Sequence, residues 1–277
     1  MLNLGQQNTL TALRQTDNGI YLIDEEENEV LLPNKYIPEG MKMGDEIDVF
    51  LYTDSEDRQI ATNLIPKVYL YGYALLEVKD VAGFGAFFDW GLEKDLLVPL
   101  NQQARAVKVG EKHVVYLYLD DQTNRLAGST KIGRTLLKLG IDLKVGEEVK
   151  ALPYDESELG FSVVVNDKYQ GMLYKNEIFE SIEVGDELKA FVKKIRSDNK
   201  VDLSLNRFGY RAVDDNLEKL IDVLKANNGV LNLNDKSDPE QIKSKLGMSK
   251  KVFKKAIGAL YKQKKIEISD TGIKLKN

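Results

Sequence analysis

The chain has 277 residues, of which 30% are charged and 43% hydrophobic, with a formal net charge of −5. This is the composition of a globular protein, and the length exceeds one small module and allows several compact units. There is no cysteine, which excludes disulfides, thiolate catalysis and cysteine-held zinc. No run approaches the roughly 18 apolar residues of a membrane span. The opening MLNLGQQNTLTALRQ lacks the basic start and apolar stretch of a secretory signal, so a cytoplasmic location without a membrane partner is expected. Charge is unevenly spread. Residues 1–63 hold 4 Lys/Arg against 13 Asp/Glu, whereas residues 213–277 hold 14 against 9. A polyanion would therefore favour the C-terminal side.

In chain order, residues 1–63 read as an acidic set of short strands that contains EVLLPNKYIP and then MKMGDEIDVFLYTDSEDRQIAT. Residues 64–130 repeat the layout with DLLVPLNQQA and VKVGEKHVVYLYLDDQTNRLAGS. KIGRTLLKLGID, at 131–142, lacks strand alternation and reads as a linker or short helix. Residues 143–207 repeat the layout a third time, with QGMLYKNEIF and IEVGDELKAFVKKIRSDNKVDLSL; their opening LKVGEEVKALPY mimics the repeated phrase. The shared form is apolar–x–apolar–Gly–acid, an alternating strand, a charged turn and a short strand. About five strands in roughly 60–70 residues suit a small barrel of the OB type. Residues 213–277 change period. Leu217, Leu220, Ile221 and Leu224 fall at helical spacing. DPEQIKSKLG reads as a short helix capped by Asp238, and MSKKVFKKAIGALYKQKKI as a third helix capped by Ser249. KIEISDTGIKLK reads as a hairpin. Three helices and a hairpin make a winged helix. The fold class is thus mainly β and multidomain: three tandem five-stranded barrels, then an α/β winged-helix domain.

The stretch VAGFGAFFDWG, at 81–91, is dense in aromatics. Alternation sends Phe88 and Trp90 into a barrel core and Phe87 outward, with Phe84 at the strand start. Together with GLEKDLLVPLNQ and the VGEKHVVYLYLDDQTNRLAGS phrase, this stretch resembles an S1 RNA-binding module. The first and third copies share the layout without most of the aromatics. Three S1-like barrels before a winged helix resemble, over nearly the whole chain, the bacterial conserved virulence factor B (CvfB) family. That resemblance implies RNA binding and a regulatory role, with no established catalysis. It places Phe84 and Phe87 on the RNA face, where stacking accepts any base. The histidine usual in the next S1 segment falls at Pro99, with Tyr174 in the third copy and Pro33 in the first. Arg125, in the turn DDQTNRL, falls where S1 modules often carry a basic group.

In the third copy, Lys193, Lys194, Arg196 and Lys200 suggest a phosphate track, although alternation separates Lys193 from Lys194. In the acidic first copy, Tyr21 and Tyr36 are the plausible stacking rings. In the last helix, Lys250, Lys251, Lys254 and Lys255 form a basic edge suited to phosphates, with little to read bases. One histidine, His113, gives no support for a Ser-His-acid or two-histidine metal site. GFGAFF is not a dinucleotide loop. No cofactor and no metal are expected. The sequence points to a non-enzymatic, single-stranded RNA-binding regulator of gene expression. The alternative is a protein-interaction adaptor whose degenerate barrels and winged helix bind proteins, through the first barrel or the winged helix above all, with only incidental RNA contact.

Overall fold

The computed structural model describes residues 1–137, 140–178, 180–206 and 210–276. It divides into two compact units, Met1–Leu136 and Leu137–Asn277. In the first unit, β1 (Gln7–Thr16), β2 (Gly19–Ile23), β3 (Glu29–Pro33), β4 (Glu46–Thr53) and β5 (Gln59–Thr62) close into a barrel of order β1-β2-β3-β5-β4. Next, β6 (Tyr73–Ala82), β7 (Gly85–Asp89), β8 (Leu96–Pro99), β9 (Lys112–Asp120) and β10 (Arg125–Ser129) form a sheet of order β10-β9-β6-β7-β8, followed by the short helix α1 (Ile132–Thr135). In the second unit, β11 (Glu148–Glu156), β12 (Gly160–Val165), β13 (Tyr169–Tyr174), β14 (Leu188–Ile195) and β15 (Val201–Ser204) close with the topology of the first barrel. Then come α2 (Tyr210–Ala226), β16 (Val230–Leu231), α3 (Pro239–Leu246), α4 (Lys250–Lys262), β17 (Ile266–Ser269) and β18 (Gly272–Leu275). The mainly β multidomain class and the winged helix hold. Helix α2 begins three residues before Val213, and residue 207, the end expected for the third barrel, lies outside the described residues.

The second barrel differs from expectation, because no ladder closes it. Its counterparts close through parallel pairs, Leu31 with Ile60 in the first barrel and Leu173 with Leu203 in the third. Strands β8 and β10 also lie side by side: a Cβ added at Gly128 would stand 2.7 Å from Val98 Cγ2. Here, however, the Val98 carbonyl accepts from the buried Gln103 side-chain amide at 3.0 Å. Past the end of β10, the Thr130 amide donates to the Gln102 carbonyl at 3.0 Å.

The repeated phrase has a structural explanation. Gly44, Gly110 and Gly185 take φ of +91°, +84° and +95°, a region that favours glycine. Their amides donate to Ala12, Val78 and Pro153 at 2.8, 2.9 and 2.8 Å. Each acceptor precedes the bulge in the first strand of its own barrel. The following acids, Asp45, Glu111 and Asp186, accept from the amide three residues back at 2.8, 3.3 and 2.7 Å. The mimic LKVGEEV is the same turn, used against a different strand. Gly146 has φ +87° and donates to Val192 at 2.7 Å, beside the bulge in β14.

A second device recurs without an obvious motif. Gly19, Gly85 and Gly160 open the second strand of each barrel and pair with Pro33, Pro99 and Tyr174. A Cβ on them would lie 2.1 Å from Leu32 O, 2.7 Å from Val98 O and 2.1 Å from Leu173 O. The third strand therefore approaches too closely for any side chain there.

Strand β4, EIDVFLYT, buries every residue from Val49 to Thr53. Val49 and Leu51 fill the first barrel. Phe50 and Tyr52, on the opposite face, join the core of the second barrel. The Phe50 ring meets Trp90 edge-on at 5.7 Å and Tyr69 at 5.8 Å. Trp90 is buried, as alternation indicates, but it sits at the junction between barrels, with its indole N–H donating to the Lys94 carbonyl at 2.6 Å. Phe88 is fully buried in the second barrel. In the winged helix, Leu220, Leu224, Ile242, Phe253, Ile257 and Leu260 build one core. The Asp238 and Ser249 side chains cap α3 and α4, as the sequence indicates.

Two outcomes follow. Gly160→Ala should cost about 2 kcal/mol or more through the carbonyl clash, whereas Gly258→Ala, in open space within α4, should be neutral or gain up to about 1 kcal/mol. Urea titration of both variants checks this, and equal midpoints would refute the close-approach account. Phe50→Ala should cost about 3–5 kcal/mol and red-shift the emission of Trp90, the single tryptophan, as water reaches the indole. Unchanged emission would mean that the two barrels do not share a core.

Candidate nucleic-acid interface

Register aligns the three barrels residue by residue. Counting from the paired glycines, Asn18, Phe84 and Leu159 correspond, as do Tyr21, Phe87 and Ser162. Only the second barrel has phenyl rings at both positions. Phe84 is 62% exposed at the turn into β7. Phe87 is half-buried on the outer face, and its ring meets that of Phe84 edge-to-face at 5.9 Å. Pro99, where S1 modules carry histidine, stands across from Gly85.

Phe87 and Pro99 border a cleft of about 500 Å³, which also touches Leu97, Lys94, Arg125 and, from the first barrel, Tyr52. Arg125 is not in a turn. It is the first residue of β10, paired in register with Asp120, and its guanidinium forms an ion pair with Asp57 of the first barrel. Lys94 Nζ donates to the Asp54 and Thr53 carbonyls at 2.7 and 3.1 Å. Burial holds the Lys94 ammonium below its usual range, and burial raises neighbouring Asp95.

In the first barrel, neither tyrosine offers an open ring. Tyr36 is 4% exposed. Tyr21 is covered by the Arg14 guanidinium at 3.9 Å, itself paired with Glu29 at 2.6 Å. In the third barrel, the Tyr174 hydroxyl donates to Asp202 at 3.1 Å; burial first, then this carboxylate, push its phenol up. Arg196 lies 2.9 Å from Asp198 and 3.9 Å from Asp202. Lys193 pairs with Glu177. Simple alternation fails at Lys193 and Lys194: the bulge between Val192 and Lys194 leaves both exposed. Each of Tyr174, Lys193 and Arg196 thus has a carboxylate beside it.

On α4, Lys251, Lys254 and Lys255 are exposed and Lys250 is half-buried. The opposite face of the helix buries Phe253, Ala256, Ile257 and Leu260. Lys254 lies 4.0 Å from Asp235. The other three have no ion-pair partner among the described residues. Sequence reasoning missed Lys94 and Asp57, because their part in the cleft arises only when two barrels meet.

Comparison with known proteins adds the family. An S1 domain model matches residues 4–64, the first barrel, and a CvfB-like winged helix domain model matches residues 218–275. An S1 domain and a winged helix in one chain support nucleic-acid binding. No helix among the described residues is long and apolar enough to cross a membrane. A solved multidomain protein with nucleic acid binding domains from Streptococcus pneumoniae aligns with 99% of this chain and 98% of its own at 24% identity, with a TM-score of only 0.44. Conserved virulence factor B of Staphylococcus haemolyticus is 28% identical over 242 residues, covering 85% of this chain and 81% of that protein. The protein YitL of Bacillus subtilis is 30% identical over 270 residues, covering 95% of this chain and 90% of its own length. With the winged-helix match and relatives spanning most of its length, the chain belongs to the conserved virulence factor B family.

Proposed function

We propose that the protein binds single-stranded RNA on the outer face of its second barrel, with help from the lysine edge of α4, and regulates gene expression post-transcriptionally in the cytoplasm. It acts by binding, not by catalysis. The observation that carries this reading is the pair Phe84, exposed at the turn into β7, and Phe87, half-buried on the outer face of that strand, whose next residue, Phe88, builds the core. Exposed phenyl rings stack on any base, so broad sequence tolerance is expected. The lysines of α4 supply phosphate contacts, and tethering on one chain raises the effective concentration of weak modules. Tyr174, Lys193 and Arg196 contribute less, because their neighbouring carboxylates oppose phosphate. The first barrel, acidic and without an open ring, serves packing or a protein contact.

Anisotropy with a labelled oligouridylate of about 12 nucleotides tests the stacking face. Phe87→Ala should lose about 1–3 kcal/mol of affinity while keeping its melting temperature. Phe88→Ala should instead lose about 3–5 kcal/mol of stability. Full affinity in a folded Phe87→Ala protein would remove the platform. Changing Lys250, Lys251, Lys254 and Lys255 to Glu should flatten the salt dependence by about 0.7 per lost phosphate contact. An unchanged slope would assign this helix edge to solvent or to a protein partner.

A further inference from the structure

The cleft beside Phe87 is bounded on one side by a piece of the chain's own first barrel. The turn between β4 and β5 carries Asp54, Glu56 and Asp57. Asp54 organises it: the carboxylate accepts from the Glu56 and Arg58 amides at 2.9 and 3.0 Å and from the Arg58 guanidinium at 2.9 and 2.7 Å. Burial opposes the charge, but these hydrogen bonds hold the Asp54 carboxyl below its usual range. The turn therefore has a fixed shape. Asp57 stands in it at φ +63° and directs its carboxylate onto Arg125. Lys94 is engaged by the backbone of the same segment. Both cations at the cleft are thus turned to an acidic hairpin.

We infer that the β4–β5 turn acts as an internal competitor of RNA, with the Asp57 carboxylate occupying on Arg125 the place of a phosphate. The inference rests on the RNA reading above and adds its regulation. Two features make the contact displaceable. The Arg125 and Asp57 side chains are 55% and 43% exposed, and exposed ion pairs are weak and screened by salt. The junction beneath them is buried and apolar, through Phe50, Tyr52 and Trp90, so the barrels stay docked when the ion pair opens. A strand entering over Phe84 and Phe87 must then exchange Asp57 for its own phosphate to reach Arg125. This lowers affinity for any single strand and favours ligands that fill the stacking face first.

The test uses the full chain, the labelled oligouridylate, and salt of about 50 and 200 mM. Asp57→Asn removes the charge and keeps a residue that tolerates positive φ. It should bind about two- to fivefold tighter than the parent chain, the worth of one exposed ion pair. The gain should vanish in Asp57→Asn combined with Phe87→Ala. Glu56→Gln is the charge control, because Glu56 pairs with Arg58 at 3.0 Å, away from Arg125; it should bind as the parent does. Equal or weaker binding by Asp57→Asn overturns the inference, as does an equal gain from Glu56→Gln, which would be a bulk charge effect. If Phe87→Ala weakens the parent while Asp57→Asn changes nothing, RNA binding stands and the competitor falls. If neither the parent nor any variant binds, both fall.

Discussion

Strand β4 buries both of its faces, and the first compact unit depends on this. One face closes the first barrel with Val49 and Leu51; the other places Phe50 and Tyr52 against Trp90 and Tyr69. A strand in a free-standing barrel would show polar residues on its outer side. Here that side is the floor of an interface, so the turn that follows β4 is carried onto the second barrel. Asp57 reaches Arg125, and Lys94 reaches the backbone of residues 53 and 54, because the strand beneath is anchored. The acidic charge of the first barrel thereby acts locally at the neighbouring face, as well as on the average field.

The three barrels share turn chemistry more than surface chemistry. The glycine–acid turn ties to the bulged first strand in each copy, and a glycine opens each second strand because the third strand lies too close for a side chain. These constraints hold the backbone and leave outer positions free to diverge. At the position of Phe87 the copies carry Tyr21, Phe87 and Ser162: one ring covered by Arg14, one half-buried against Phe84, and one absent. Outer side chains are thus distributed unevenly over equivalent scaffolds: the second barrel carries the pair of phenyl rings, and α4 carries the exposed lysines.

Much of the fold was legible because its signals are local. Alternation marked the strands, the repeated phrase marked the copies, and Asp238 and Ser249 marked the helix starts. Phe88 is buried and Phe87 outer because strand period fixes faces. What was not legible depends on partners distant in sequence. VFLY in β4 reads as a buried strand, but nothing local says that half of it belongs to another barrel. The second barrel lacks the parallel pair that closes its counterparts, although its sequence repeats their layout. The bulge that leaves Lys193 and Lys194 both exposed breaks the period on which their separation rested. Arg125 was visible as a candidate, while its ion pair with Asp57, 68 residues away, was not.

The proposed RNA-binding face predicts which residues an oligonucleotide touches. Photocrosslinking with a 4-thiouridine oligonucleotide, followed by mass spectrometry of the crosslinked peptides, reads this directly on the unaltered protein. Crosslinks should concentrate in residues 81–91, at Phe84 and Phe87, with a second set on α4 around Lys251 and Lys255. Crosslinks confined to the first and third barrels, with residues 81–91 unmodified, would contradict the account and return the phenyl rings to packing.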